Sequence, residues 1–91
     1  MPYSITRHSG FAAPSDALDL LWQRLDGYRG DARFTRVGTG IRAVWGDEGQ
    51  SWLGRREREE IGRRAVLDIV CDICVQAPEL DSDWFAISPL R

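Results

Sequence analysis

Along residues 1–13 apolar side chains are scattered without a clear period, interrupted by Pro2, Ser4, Ser9 and Gly10. This stretch reads as an N-terminal arm with room for one short strand. The pattern changes at Pro14. Leu18, Leu21, Trp22 and Leu25 recur at helical spacing, Ser15 is placed to cap, and Asp16 and Asp19 stand where a helix dipole favours acids. An amphipathic helix over 15–27 is predicted, closed by Gly27 or Gly30.

Between Arg33 and Trp45 the enrichment shifts to β-branched and aromatic residues, in the runs FTRV and IRAVW on either side of Gly38-Thr39-Gly40. That is the pattern of a β-hairpin with a three-residue glycine turn. Ile41, Ala43 and Trp45 then share one face, and Arg42 and Val44 the other. A lone hairpin is marginal in water, so its apolar face needs a cover from a helix or from a second chain.

A long second helix is predicted over 52–77, capped by Asp47 or Ser51 and stopped by Pro78. Its first half, RREREEIGRR, is charged all round, with Glu59 to Arg63 and Glu60 to Arg64 at the favoured four-residue spacing, and should project into water. In its second half Arg64, Asp68, Asp72 and Gln76 make one polar stripe. Val66, Leu67, Ile69, Val70, Cys71, Ile73, Cys74 and Ala77 cover an arc of roughly 200°. Ile69 and Ile73 are therefore expected to be largely buried. After Asp81, Ser82 and Asp83, the residues Trp84, Phe85, Ile87 and Leu90 are too apolar for a free tail and should dock on the core.

The fold expected is α+β: a small single domain over 1–91, with an N-terminal arm (1–13), an N-terminal helix, a β-hairpin, a long second helix and a docked C-terminal aromatic tail (78–91). Ninety-one residues leave no room for a second core. At 43% hydrophobic and 29% charged the chain resembles soluble globular domains, and its net charge of −2 provides no overall basic field. All 12 cations are Arg, and Lys and Asn are absent. Such a bias points to a GC-rich bacterial gene, which weakens any functional reading of the arginine excess. The arm has no apolar stretch of signal-peptide length, and the run from Ala65 to Ala77 is too short and too broken to cross a bilayer. With two cysteines expected to be reduced, a cytoplasmic setting without membrane contact follows.

Candidate chemistry is sparse. Cys71 and Cys74 have the C-x-x-C spacing of zinc and redox pairs, but the single histidine, His8, lies in the distant arm, and the thiols fall late in a helix rather than at its N-terminus. Two structural thiols are the favoured reading. A thiol or metal protein centred on this pair, with His8 brought over, is the alternative. Arg36 and Arg42, flanking the glycine turn as cross-strand neighbours, are a weaker candidate anion contact than a plain hairpin turn. The arginines from Arg55 to Arg64 are interleaved with Glu57, Glu59 and Glu60 and have no aromatic among them, so nucleic acid ranks third. Asp81 and Asp83 lack the other ligands of a calcium loop, and no serine has a nucleophile-elbow context.

No catalytic, cofactor-binding or metal residue is assigned, and no cofactor is expected. Four Trp are more than so small a core needs. The function expected is that of a small non-enzymatic protein-interaction or accessory module acting through an apolar helix and hairpin surface, with a symmetric homodimer joined by the hairpin and the long helix as the expected form and another protein partner as the other. Trp45, Val70, Ile73, Trp84 and Phe85 are the interface candidates.

Overall fold

The computed structural model describes residues 2–10, 12–46 and 52–90. Six regular elements follow in the order β1 (Pro2–Arg7), α1 (Ala17–Leu25), β2 (Ala32–Val37), β3 (Gly40–Trp45), α2 (Arg55–Gln76) and β4 (Phe85–Pro89), with one 3₁₀ turn at Ser82–Trp84 before the last strand. The strands form one antiparallel sheet in the order β2-β3-β1-β4. This β-α-β-β-α-β sequence is the ferredoxin-like, or split β-α-β, arrangement. The α+β architecture predicted from the sequence is present, with two strands more than the hairpin supplies.

The additional strands come from the arm and the tail. In β1 Tyr3 and Ile5 alternate with Ser4 and Thr6, which is the period of a strand with one buried face. Tyr3 stands opposite Ala43 on one side and Pro89 on the other, and Ile5 opposite Ile41 and Ile87. The segment read as an arm is thus a central strand. The docked tail becomes β4, where Phe85 and Ile87 turn inward while Ala86 and Ser88 turn outward.

The hairpin keeps its predicted faces: Ile41 and Ala43 are buried, and Arg42 and Val44 are exposed. Its turn is shorter than predicted. Val37 pairs directly with Gly40, leaving Gly38 and Thr39 as a two-residue loop in which Gly38, at φ 58°, takes the left-handed conformation. With that register Arg36 opposes Ile41 and Arg42 opposes Thr35. The two arginines are therefore not cross-strand neighbours, because an odd offset puts them on opposite faces of the sheet.

Helix α1 turns Ala17, Leu21 and Leu25 into the core. Asp16, not Ser15, is its N-cap and makes no side-chain capping bond. It ends at Leu25 with Asp26 still in helical conformation, and neither Gly27 nor Gly30 has positive φ. Helix α2 starts after Gly54. Asp47 and Ser51, the predicted caps, lie outside the described residues. Its end at Gln76, two residues before Pro78, agrees with the prediction.

The buried stripe of α2 is narrow: Glu59, Gly62, Val66, Val70 and Cys74. Ile69 and Ile73, expected inside, flank it half-buried, because a helix lying on one sheet seals a single row of side chains. The charged first half does not stand free in water either. Glu59 is buried, and the Tyr3 hydroxyl donates to the Glu59 backbone carbonyl at 3.0 Å. The close ion pairs of this stretch include Arg55 with Glu59 at 3.2 Å and Arg63 with Glu60 at 2.8 Å, and Arg64 acts on Glu60 from farther away. Turned toward the sheet, Glu59 is reached from one turn earlier. The core thus joins the inner rows of the strands to α1 and to the stripe of α2.

Candidate functional site

Both helices pack on the same face of the sheet, and the described residues leave the opposite face open. That face carries Ser4 and Thr6 of β1, Arg33, Thr35 and Val37 of β2, Arg42 and Val44 of β3, and Ala86 and Ser88 of β4, continued by Leu90. Val37, Val44 and Leu90 are each more than two-fifths exposed. Ser4, Val37, Arg42 and Leu90 border a shallow depression of about 190 Å³. The described residues of this face include two arginines and no acid. They also include no aromatic ring, so the stacking platform by which four-stranded sheets bind single-stranded RNA is missing.

Among the sequence-predicted interface residues, Val70 has no exposed surface and Phe85 is buried, so both serve the chain's own core. Trp45, Ile73 and Trp84 are half-buried against that core. The exposed tryptophan is Trp52, at 79%, which four Trp in one small chain could have suggested but could not have singled out. The sequence also missed the open face as a unit. Its β2 and β3 residues were legible in the hairpin, but the contributions of β1 and β4 depend on pairings as distant as Tyr3 with Pro89.

Cys71 and Cys74 border an open hollow of about 450 Å³ together with Leu80, Asp81 and Trp84. Both thiols are free, Cys71 half-buried and Cys74 buried. Burial, helped by the neighbouring Cys71 and by Asp81, pushes the Cys74 thiol up from 9.0 to about 11. A thiolate, the form that attacks disulfides and binds metal, is therefore disfavoured there. No group of three or more His, Cys, Asp or Glu side chains among the described residues is arranged to hold a metal ion. The His8 Nδ1 accepts the Gly10 amide at 2.9 Å, and His8 does not line the cysteine hollow. Asp81 accepts the Asp83 amide at 2.9 Å, which makes it a cap for the 3₁₀ turn.

The raised Cys74 value has a pH consequence. The folded chain keeps that thiol protonated to higher pH than the unfolded chain does, so the associated stability is complete below pH 9.0 and is lost as pH rises toward about 11. Iodoacetamide at pH 8 should label Cys71 well ahead of Cys74. Thermal melts should show a loss of stability across this alkaline window that Cys74→Ala removes. Equal labelling rates, or an unchanged alkaline slope in the variant, would contradict the buried neutral thiol.

The arginines of the Arg55–Arg64 stretch are partly engaged by Glu59 and Glu60 on their own helix. Glu60 is held below the usual carboxylate range, chiefly by its hydrogen bond to Arg63. Arg56, Arg58 and Arg64 have no ion pair to a described residue, so this surface is self-paired only in part.

Arg36 and Arg42, the sequence-predicted anion pair, are separated by the sheet. Arg42 lies on the open face. Arg36 lies on the helix side at the hairpin end, where a hollow of about 660 Å³ opens between α1 and the β2-β3 turn, bordered by Arg7, Ser15, Asp19 and Thr39 and reaching Ser4, Thr6 and Val37 at the edge of the open face. Arg36 Nη2 meets Asp19 at 2.7 Å, and its Nε lies 3.5 Å from the Gly38 carbonyl.

These features define a small split β-α-β domain with one open sheet face. Among the described residues, no helix is long and apolar enough to cross a membrane. Comparison with protein-family models, with curated proteins and with solved structures finds no match to this chain. A topology of this kind serves many unrelated functions, so function has to be argued from the surfaces.

Proposed function

We propose that this chain is a non-enzymatic protein-interaction module that docks an acidic, partly apolar segment of a partner protein on the open sheet face. The supporting observation is the composition of that face: Val37, Val44 and Leu90 exposed around Arg33 and Arg42, with no acid among its described residues, on a chain whose net charge is −2. Apolar side chains supply contact area, and the unopposed guanidinium groups select a carboxylate-bearing partner. A second copy of the chain is the other reading, favoured by the same three apolar side chains. Face-to-face packing of identical sheets would bring the arginines of the two copies together, which opposes it.

Sedimentation at about 100 µM, a concentration that populates dimers of micromolar affinity, should give a particle near 10.3 kDa. Affinity capture from the host extract should retain an acidic protein that salt releases, and that neither Arg42→Glu nor Val44→Asp retains although both variants fold. A stable dimer that Val44→Asp dissociates would replace the hetero-partner with a second copy. Identical capture by the wild type and both variants would remove the open face from the interaction.

A further inference from the structure

We propose that the hollow between the first turn of α1 and the β2-β3 turn binds a small phosphate monoester. The site uses neither arginine of the open face, although its hollow reaches Ser4, Thr6 and Val37 there, and it rests on donors of three elements that converge on one cavity. Arg36 is the first. Two of its three guanidinium nitrogens are engaged, by Asp19 and by the Gly38 carbonyl, but Nη1 is buried and has no partner among the described residues. A buried donor left in that state costs free energy, and a shift of the exposed Asp19 carboxylate would open it to an oxyanion oxygen.

Arg7 is the second. It leaves the end of β1 on the same side of the sheet as Arg36, borders the same hollow and is exposed, with no ion pair to any described residue. The third is the start of α1. Asp16 makes no side-chain capping bond, so the amides of Leu18 and Asp19, which border the hollow, remain free of the usual cap. Hydroxyls of Ser15 and Thr39 complete the rim.

Guanidinium, amide and hydroxyl donors around one cavity match the several acceptor oxygens of a phosphate better than the two of a carboxylate. A volume of about 660 Å³ falls in the range of small-molecule sites, well beyond a bare phosphate, and Leu18 gives the wall an apolar part for an organic group. Asp19 opposes an anion. Together, Arg7, Arg36 and Asp19 carry two positive charges against one negative, and the opposing charge can be removed by substitution.

The test titrates the wild-type chain with inorganic phosphate, ribose 5-phosphate and ribose while backbone amide shifts are followed. Both phosphates should move the Leu18, Asp19 and Thr39 resonances, the ester at several-fold lower concentration, and ribose should move none. Arg7→Gln, at an exposed strand end, should weaken binding about tenfold, and Asp19→Asn should tighten it several-fold. Asp19→Asn breaks a native ion pair, so tighter binding in that variant is a result that a merely structural role for the Arg36 pair would not produce. If these amides do not respond to either phosphate up to about 10 mM, a range that detects even millimolar affinity, or if both variants bind like the wild type, the site is overturned. Equal affinity for the ester and inorganic phosphate would overturn the monoester assignment.

Discussion

Replacing Gly62 with Ala should destabilise the fold by about 2–3 kcal/mol, although alanine in a helix interior is ordinarily favoured over glycine by about 1 kcal/mol. A Cβ built at Gly62 would fall 1.8 Å from the Tyr3 hydroxyl oxygen and 2.6 Å from the ring carbon that bears it. The ring cannot swing aside easily. Tyr3 has no exposed surface, and its hydroxyl is fixed to the Glu59 carbonyl at 3.0 Å. The glycine thus lets α2 lie directly on β1. Urea unfolding of Gly62→Ala, of Tyr3→Leu and of the double variant measures the coupling. Once Tyr3→Leu has removed the ring, the alanine should cost much less than in the wild type. A stabilised Gly62→Ala protein would show that helix and strand do not meet here.

The second large effect is expected at Val70. An arginine there should leave the chain unfolded at any concentration, since an unpaired buried charge costs about 3–5 kcal/mol, comparable with the whole stability of a small domain. Val70 has no exposed surface in the isolated chain. The same substitution at Val75, 85% exposed on the same helix, should change stability by no more than about 0.5 kcal/mol. Circular dichroism melts of both variants decide the matter. A folded Val70→Arg monomer would mean that this face of α2 is not core, and equal destabilisation at both positions would contradict the narrow stripe.

That contrast shows what an isolated sequence can and cannot supply. Periodicity made α2 visible, and Pro78 placed its end. The hydrophobic arc looked equally apolar across about 200°, and nothing local said that only the row through Val66, Val70 and Cys74 meets the sheet. The width of a buried stripe belongs to the surface it packs on. The alternation of Ile41, Ala43 and Trp45 was legible because both strands of the hairpin lie within one short segment. In β1 Tyr3 and Ile5 have the same period, but between Pro2 and Gly10 it repeats only twice, too briefly to stand out.

Gly62 gave a signal that the charge pattern hid. An isolated glycine in a helix interior costs helix stability, which is itself a reason to look for a close approach. For the candidate anion contact, the sequence singles out Arg36 from its place beside the glycine turn but pairs it with Arg42, which the register does not. Counting the turn as three residues rather than two shifts the register by one and exchanges the faces of the sheet. Arg7 could not be paired with it by any local rule, since the two meet only when β1 enters the sheet beside β3.

The position of β1 bears on how the molecule opens. Within the sheet it is the sole link between the β2-β3 hairpin and β4, for neither strand of that hairpin pairs with the last strand. Withdraw β1, and what remains is a two-stranded ribbon and one strand with no neighbour, neither of which persists alone in water. Opening that withdraws β1 therefore takes the sheet with it, and the amide protons of residues 3–5, directed alternately at β3 and at β4, should be among the slowest to exchange with solvent. The segment with the faintest local preference for a strand is thus the keystone of the domain's cooperativity.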